Sequence, residues 1–142
     1  MSKTPATGIM YKVRIIDRTI WRLEIKRDSL KSCLLPGAVR YDLDKVQTSP
    51  EDRFSLVMAE VADLDSTIQE LKRAKAEAIM DISAKIELVS DERERVILTA
   101  YYIGGIPMTR IAEQIGYSLP HTYRLRRSGE THVEHEHDNN DN

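Results

Sequence analysis

The chain has one cysteine, Cys33, in 142 residues. A lone cysteine forms no internal disulfide, and no His or Asp stands beside it to make it a nucleophile. Such sparing cysteine use fits a reducing, cytoplasmic compartment. No apolar run reaches the roughly 18 residues that a membrane span needs. The first residues, MSKTPATGIMYK, lack the apolar core of a secretory signal. There is no glycine-rich phosphate loop, no H-x-x-x-H and no nucleophile elbow, so neither an enzyme nor a cofactor is expected. Glycine and proline are also scarce, at six and five, and fall mostly near expected helix ends. What remains is a chain 41% apolar and 31% charged, a balance that suits long solvated helices around one core or two.

Net charge is only −2, but its distribution is uneven. Residues 1–40 carry nine Lys and Arg against three Asp and Glu, net +6. Residues 41–89 are net −5, residues 90–130 net +1 and residues 131–142 net −4. Any nucleic-acid surface must therefore be local.

The spacing predicts a helix over residues 9–35, with a heptad-like stripe of Ile9, Val13, Ile16, Ile20, Leu23, Leu30 and Leu34 interrupted at Arg27. Trp21 beside Ile20 is expected to pad this stripe. Pro36-Gly37 stops the helix, and a loop follows over residues 37–49. A second helix opens at TSPEDR, with Ser49 as N-cap, Pro50 at the first position and Glu51 and Asp52 at the positive end of the dipole. Its stripe runs through Phe54, Val57, Val61, Leu64, Ile68, Leu71, Ala78, Ile82, Ile86 and Val89, with Lys75 in one seam position. One stripe on each helix, with opposite charge, predicts a long antiparallel, coiled-coil-like hairpin over residues 1–89, or pairing with another copy. The basic side chains of the first helix either complement the second helix or touch nucleic acid.

Residues 90–127 read as three short helices. Asp91 and Glu94 have capping-box spacing, and Val96, Ile97, Ala100, Tyr101 and Ile103 offer a packing face that ends at Gly104-Gly105 and Pro107. MTRIAEQIG and SLPHTYRLRR are the next two. Ala112 is small where a second helix must cross closely, and Gly116, four residues on, can take a left-handed turn. Ile111, Ile115, Tyr117 and Leu125 frame a small shared core, in which Thr122 fills its site poorly. Ser118 caps the last helix, and Pro120 sits in the first turn, where no intrahelical N–H is required. This is a helix-turn-helix, and its arginine-rich second helix points to duplex DNA. On the docked geometry of such motifs, His121 and Arg124 face base edges, because arginine can grip guanine with two donors. Pro120 meets a thymine methyl, while Thr109, Arg110, Tyr123, Arg126 and Arg127 hold phosphates.

The stretch ERVILTAYYIGGIPMTRIAEQIGYSLPHTYRL resembles the promoter-reading C-terminal domain of bacterial sigma factors. More narrowly it is similar to the ArpU/RinA-type phage transcriptional regulators, whose loop before the long helix YDLDKVQTSPED also resembles. The resemblance covers roughly residues 40–127. It departs from the family at Met108, where an aromatic residue is usual, and after Arg127. It implies an all-α protein: a helical hairpin and then a sigma-like three-helix unit. It further implies control of late or packaging-associated phage genes. The expected protein is thus a regulator of phage or prophage genes that docks on double-stranded DNA at a promoter and contacts host RNA polymerase, its hairpin supplying a partner or self-association surface. Two rivals use the same features. One is a DNA-packaging recognition subunit assembled as a ring, and the other an adaptor whose coiled coil does the binding. Residues 128–142 read as a disordered acidic tail. Its His132, Glu134, His135, Glu136, His137 and Asp138 lack the fixed geometry of a metal site, so no metal is expected.

Overall fold

The computed structural model describes residues 6–34 and 50–140, with backbone alone for residues 6–7 and 136–140. Those residues are all-α. The helices are α1 (Ala6–Met10), α2 (Lys12–Cys33), α3 (Pro50–Glu87), α4 (Glu92–Leu98), α5 (Met108–Ile115) and α6 (Leu119–Asn140), and a π-helical turn, Thr99–Ile103, follows α4. Among the described residues no helix is long and apolar enough to cross a membrane. The first helical segment begins earlier than its periodicity suggested and is interrupted at Tyr11, so that Met10, rather than Ile9, takes the buried position. The expected loop, the Ser49 cap and the Pro36-Gly37 stop lie outside the described residues.

The chain divides into two compact units, residues 17–74 and residues 1–16 with 75–142. This division does not fall at residue 89, where the domain boundary was expected. Residues 6–16 and the end of α3 belong with the C-terminal helices, because Met10, Val13, Ala78, Ile82, Ile86 and Val89 are buried there.

Within residues 17–74 the two helices run antiparallel. Glu24 faces Lys72, Arg27 faces Asp65 and Lys26 faces Glu60, at 3.9, 3.0 and 3.1 Å. Ile20, Leu23, Val61, Leu64 and Ile68 fill the seam. Arg27, the interruption in the stripe, keeps its seam position because Asp65 meets its guanidinium across the interface. Phe54 was expected on the stripe and is 54% exposed. The register set by Arg27 and Asp65 places it opposite a position beyond Cys33, where α2 has ended. Trp21 does not pad the seam either; it is 67% exposed. Successive residues of a helix point about 100° apart, so the neighbour of a seam residue can turn outward.

In the other unit α6 packs against α1, α4 and α5. The face of α4 differs from expectation. Ile97 is buried as expected, but Val96 is 42% exposed, whereas Leu98 and Tyr102 are completely buried. Glu94, Leu98 and Tyr102, four residues apart, set the buried face, which leaves Val96 outward; the π-turn, closed by the bond from Gly104 N–H to Thr99 C=O at 3.0 Å, follows. Tyr11, Tyr101 and Tyr102 pack edge to face, with centroids 5.0 to 6.4 Å apart. Arg14 lies over the Tyr101 ring at 4.3 Å and donates to the Tyr101 carbonyl at 2.8 Å. Arg95 reaches back to the Val89 carbonyl at 2.6 Å, joining the end of α3 to the start of α4.

The tail expected to be disordered is helical, as α6 runs unbroken to Asn140. Thr122, Leu125, Gly129 and Val133 form one buried stripe along it, spaced three and four residues apart. Gly129 does not end the helix. A Cβ there would come within 2.9 Å of Leu98 and 3.2 Å of Glu94, so its hydrogen lets α4 approach closely.

Two outcomes follow from this packing. Ile68 is wholly buried, and Ile68→Ala should destabilise the fold by about 2–5 kcal/mol in urea unfolding. Asp91 caps α4 by accepting from Arg93 N–H at 2.9 Å. The Arg93 guanidinium, bonded to the same carboxylate, holds Asp91 at about 2, below its ordinary 3.8. A carboxylate depressed in the folded state stabilises above its unfolded value, and that contribution is lost as pH falls through the folded value. Asp91→Asn should therefore flatten the loss of stability between about pH 4 and pH 2, read as urea midpoint against pH.

Candidate nucleic-acid interface

Pro107 enters α5 in an extended conformation, and Met108, Ile111 and Ala112 turn inward. Gly116 then takes the left-handed conformation, φ 75°, and its N–H closes on the Ala112 carbonyl at 3.0 Å. Tyr117 N–H shares that acceptor at 3.1 Å. Glycine suits the position because it has no Cβ to collide with the following carbonyl. Ser118 Oγ accepts from His121 N–H at 3.3 Å and so caps α6. Thr122, expected to fill its site poorly, is fully buried, and its hydroxyl donates to the Ser118 carbonyl at 2.9 Å. The small core holds Ile97, Met108, Ile111 and Leu125, with Ile106, Ile115 and Tyr123 against it. Tyr117, expected in that core, is 37% exposed and meets the His121 ring edge to face at 5.0 Å.

The eight residues expected at DNA do not share one environment. Thr109, Arg110, Pro120, Arg124 and Arg127 are exposed. Pro120, Arg124 and Arg127, four and three residues apart, lie on the side of α6 opposite its buried stripe. Among the described residues no ion pair is seen for Arg110, Arg124 or Arg127. His121 is half-buried beside Tyr117.

Tyr123 and Arg126, also expected at phosphates, are half-buried and packed toward the core. The Arg126 side chain is only 16% exposed, and its Nε lies 3.1 Å from Glu130 Oε1. That contact is an ion pair by distance rather than an aligned hydrogen bond, since this Nε has no hydrogen-bond partner. The guanidinium also covers the rings of Tyr101 and Tyr123, at 4.5 and 5.2 Å. Glu130 in turn accepts from the Tyr102 hydroxyl, and burial, more than that bond, pushes the Tyr102 phenol up from its ordinary value.

Sequence reasoning missed the buried acceptor behind this interface. Glu94 is 3% exposed and does not complete the capping box. Its two carboxylate oxygens meet Ser128 Oγ at 2.7 Å and His132 Nδ1 at 2.6 Å. Glu94 and Leu98 are four residues apart, as are Ser128 and His132; that spacing was the available signal. His132 is thus tied to α4. Among the described residues no three His, Cys, Asp or Glu side chains converge as metal ligands, and the side chains of Glu136, His137 and Asp138 lie outside them.

Comparison with family models, curated proteins and solved structures finds no match to the chain.

The turn can be tested by itself. Around Gly116 there is open space for a Cβ, so only the backbone conformation opposes a side chain. Gly116→Ala should cost about 1–2 kcal/mol, the left-handed penalty, while Gly116→Asn should cost less in the same urea titration.

Proposed function

We propose that the protein is a sequence-specific DNA-binding regulator whose reading element is the first half of α6. The observation that carries this reading is the outward row Pro120, Arg124 and Arg127, set on a helix held over α5 by the Gly116 turn. A helix presented in this way fits the major groove, its N-terminal residues toward base edges and the preceding helix across the backbone. Arg124 reads a base, with His121 beside it, and Arg127, Arg110 and Thr109 position the phosphates. The protein acts by position, without chemistry of its own. The resemblance to sigma-like phage regulators adds a promoter as the target and RNA polymerase as the partner.

The second half of α6 limits the footprint. Seven residues separate Arg127 from Glu134, about 10 Å along the helix, close to one Debye length at physiological salt. The carboxylates beyond Glu134 repel phosphates, so contact is confined to the first turns. Shortening the chain after Arg127 would not test this, because Gly129 and Val133 are core residues.

The test is a titration of duplexes selected from a random pool, at several salt concentrations. Arg124→Ala should lose about 1–3 kcal/mol on the preferred duplex and flatten preference at one base position. Arg127→Ala should weaken all duplexes alike and lower the salt slope by about one. Arg126→Ala should instead lower the melting temperature, since it removes the cover from Tyr101 and Tyr123. Parental binding by Arg124→Ala on every duplex would leave α6 as a closing helix and favour the adaptor reading.

A further inference from the structure

Within residues 17–74 the charge segregation of the sequence is only partly used inside the chain. Lys26, Arg27 and Lys72 pair with Glu60, Asp65 and Glu24. Arg18 and Arg22 remain exposed on the outer face of α2, away from the Ile20 and Leu23 seam. Between them and just beyond stand Trp21, 67% exposed, and Ile25, 48% exposed. On that side Asp28 lies 3.1 Å from Arg27. The outer face of α3 has the opposite character. Asp63 and Glu70 are exposed there, seven residues apart, with small Ala59, Ala62 and Ser66 around them and Arg73 at the far end.

We infer that the Arg18–Trp21–Arg22–Ile25 face of α2 docks on the Asp63–Glu70 face of α3 in a second copy of the chain. Charge complementarity selects this occupant. Two arginines flanking an indole and an isoleucine suit an acidic helical face with small side chains, where the indole can lie close to the backbone. A phosphate backbone would satisfy the arginines but leave Ile25 without a partner. Two α2 faces would bring the four arginines of the two copies together. The docking face and its complement point away from the shared seam in opposite directions. Pairing is therefore heterologous, and association passes beyond a dimer, to a ring where the rotation closes and to an open chain where it does not.

The test uses the full chain, with sedimentation equilibrium and tryptophan emission recorded together at low and high salt. Trp21 is the only tryptophan, so emission reports on this face alone. Average mass should rise with concentration above the 16.3 kDa of one chain, emission should shift to the blue in step, and salt should reverse both. The double variant Arg18→Glu/Arg22→Glu should weaken association by a factor of about ten or more, and so should Asp63→Lys/Glu70→Lys. Mixing these two charge-reversed chains should restore association, since each then offers what the other needs. Circular dichroism checks that the helices remain. A monomer at all concentrations overturns the inference, as does association without an emission shift or association indifferent to charge reversal. Loss of duplex DNA binding by Arg18→Glu/Arg22→Glu in a chain that stays monomeric would also overturn it and assign the face to nucleic acid.

Discussion

The approach of α4 to α6 at Gly129 is the constraint on which the C-terminal unit depends. With no side chain there, Leu98 and Glu94 come within van der Waals reach of the α6 backbone. That proximity lets Ser128 and His132, on either side of Gly129, bond the two oxygens of one buried carboxylate. A buried carboxylate with no partner would cost several kcal/mol, so its two donors and the close packing depend on one another. Fixing α6 here fixes the rest of it. Leu125 then falls over Ile97 and Ile111, Thr122 reaches the Ser118 carbonyl, and the face that carries Arg124 and Arg127 is left outward.

Three arginines lie within four residues of α6, and their surroundings separate their roles. Arg126 stands on the flank of the buried stripe, where two tyrosine rings and Glu130 hold it. Its charge is spent inside the fold. Arg127 stands about 100° from it and Arg124 about 160°, which brings the two together on the outward face, where they meet solvent. A long side chain in water pays little to reorganise around a ligand, whereas one clamped between rings would have to break its own contacts first. The same distinction applies on α2, where Arg14 and Arg27 are engaged within the fold and Arg18 and Arg22 are exposed.

What the sequence made legible was local. The Gly116 turn, the Ser118 cap and the long α3 each follow from a few neighbouring residues with specific backbone needs. The all-α class follows from periodicity. Faces were harder. The packing face of α4 runs through Glu94, Leu98 and Tyr102 rather than Val96, and it is set by a charged residue that reads as surface. Gly129 reads as a stop in a polar stretch, and only the partner helix reveals it as a point of contact, although the spacing of Leu125, Gly129 and Val133 carried the hint. Of the expected DNA residues, the exposed ones could be placed by counting from that stripe. Counting also puts Arg126 on the flank of that stripe, but the Tyr101 ring that receives it comes from more than twenty residues earlier.

The two proposals bear on each other through mass action. A reading face with one base-contacting arginine and a few phosphate contacts binds modestly, and its affinity falls steeply with salt. Linking several such faces makes each later contact intramolecular, at an effective concentration that can reach millimolar, without any new DNA-contacting residue. Heterologous pairing through α2 and α3 would provide such linkage, and its closure would separate the regulator from the packaging subunit. A ring has a fixed mass at saturation and suits a subunit that gathers DNA at one assembly. An open chain grows with concentration and suits a regulator that spreads over adjacent sites. Both use the same Arg18, Arg22, Asp63 and Glu70 contacts. The angle between successive copies sets the choice between them.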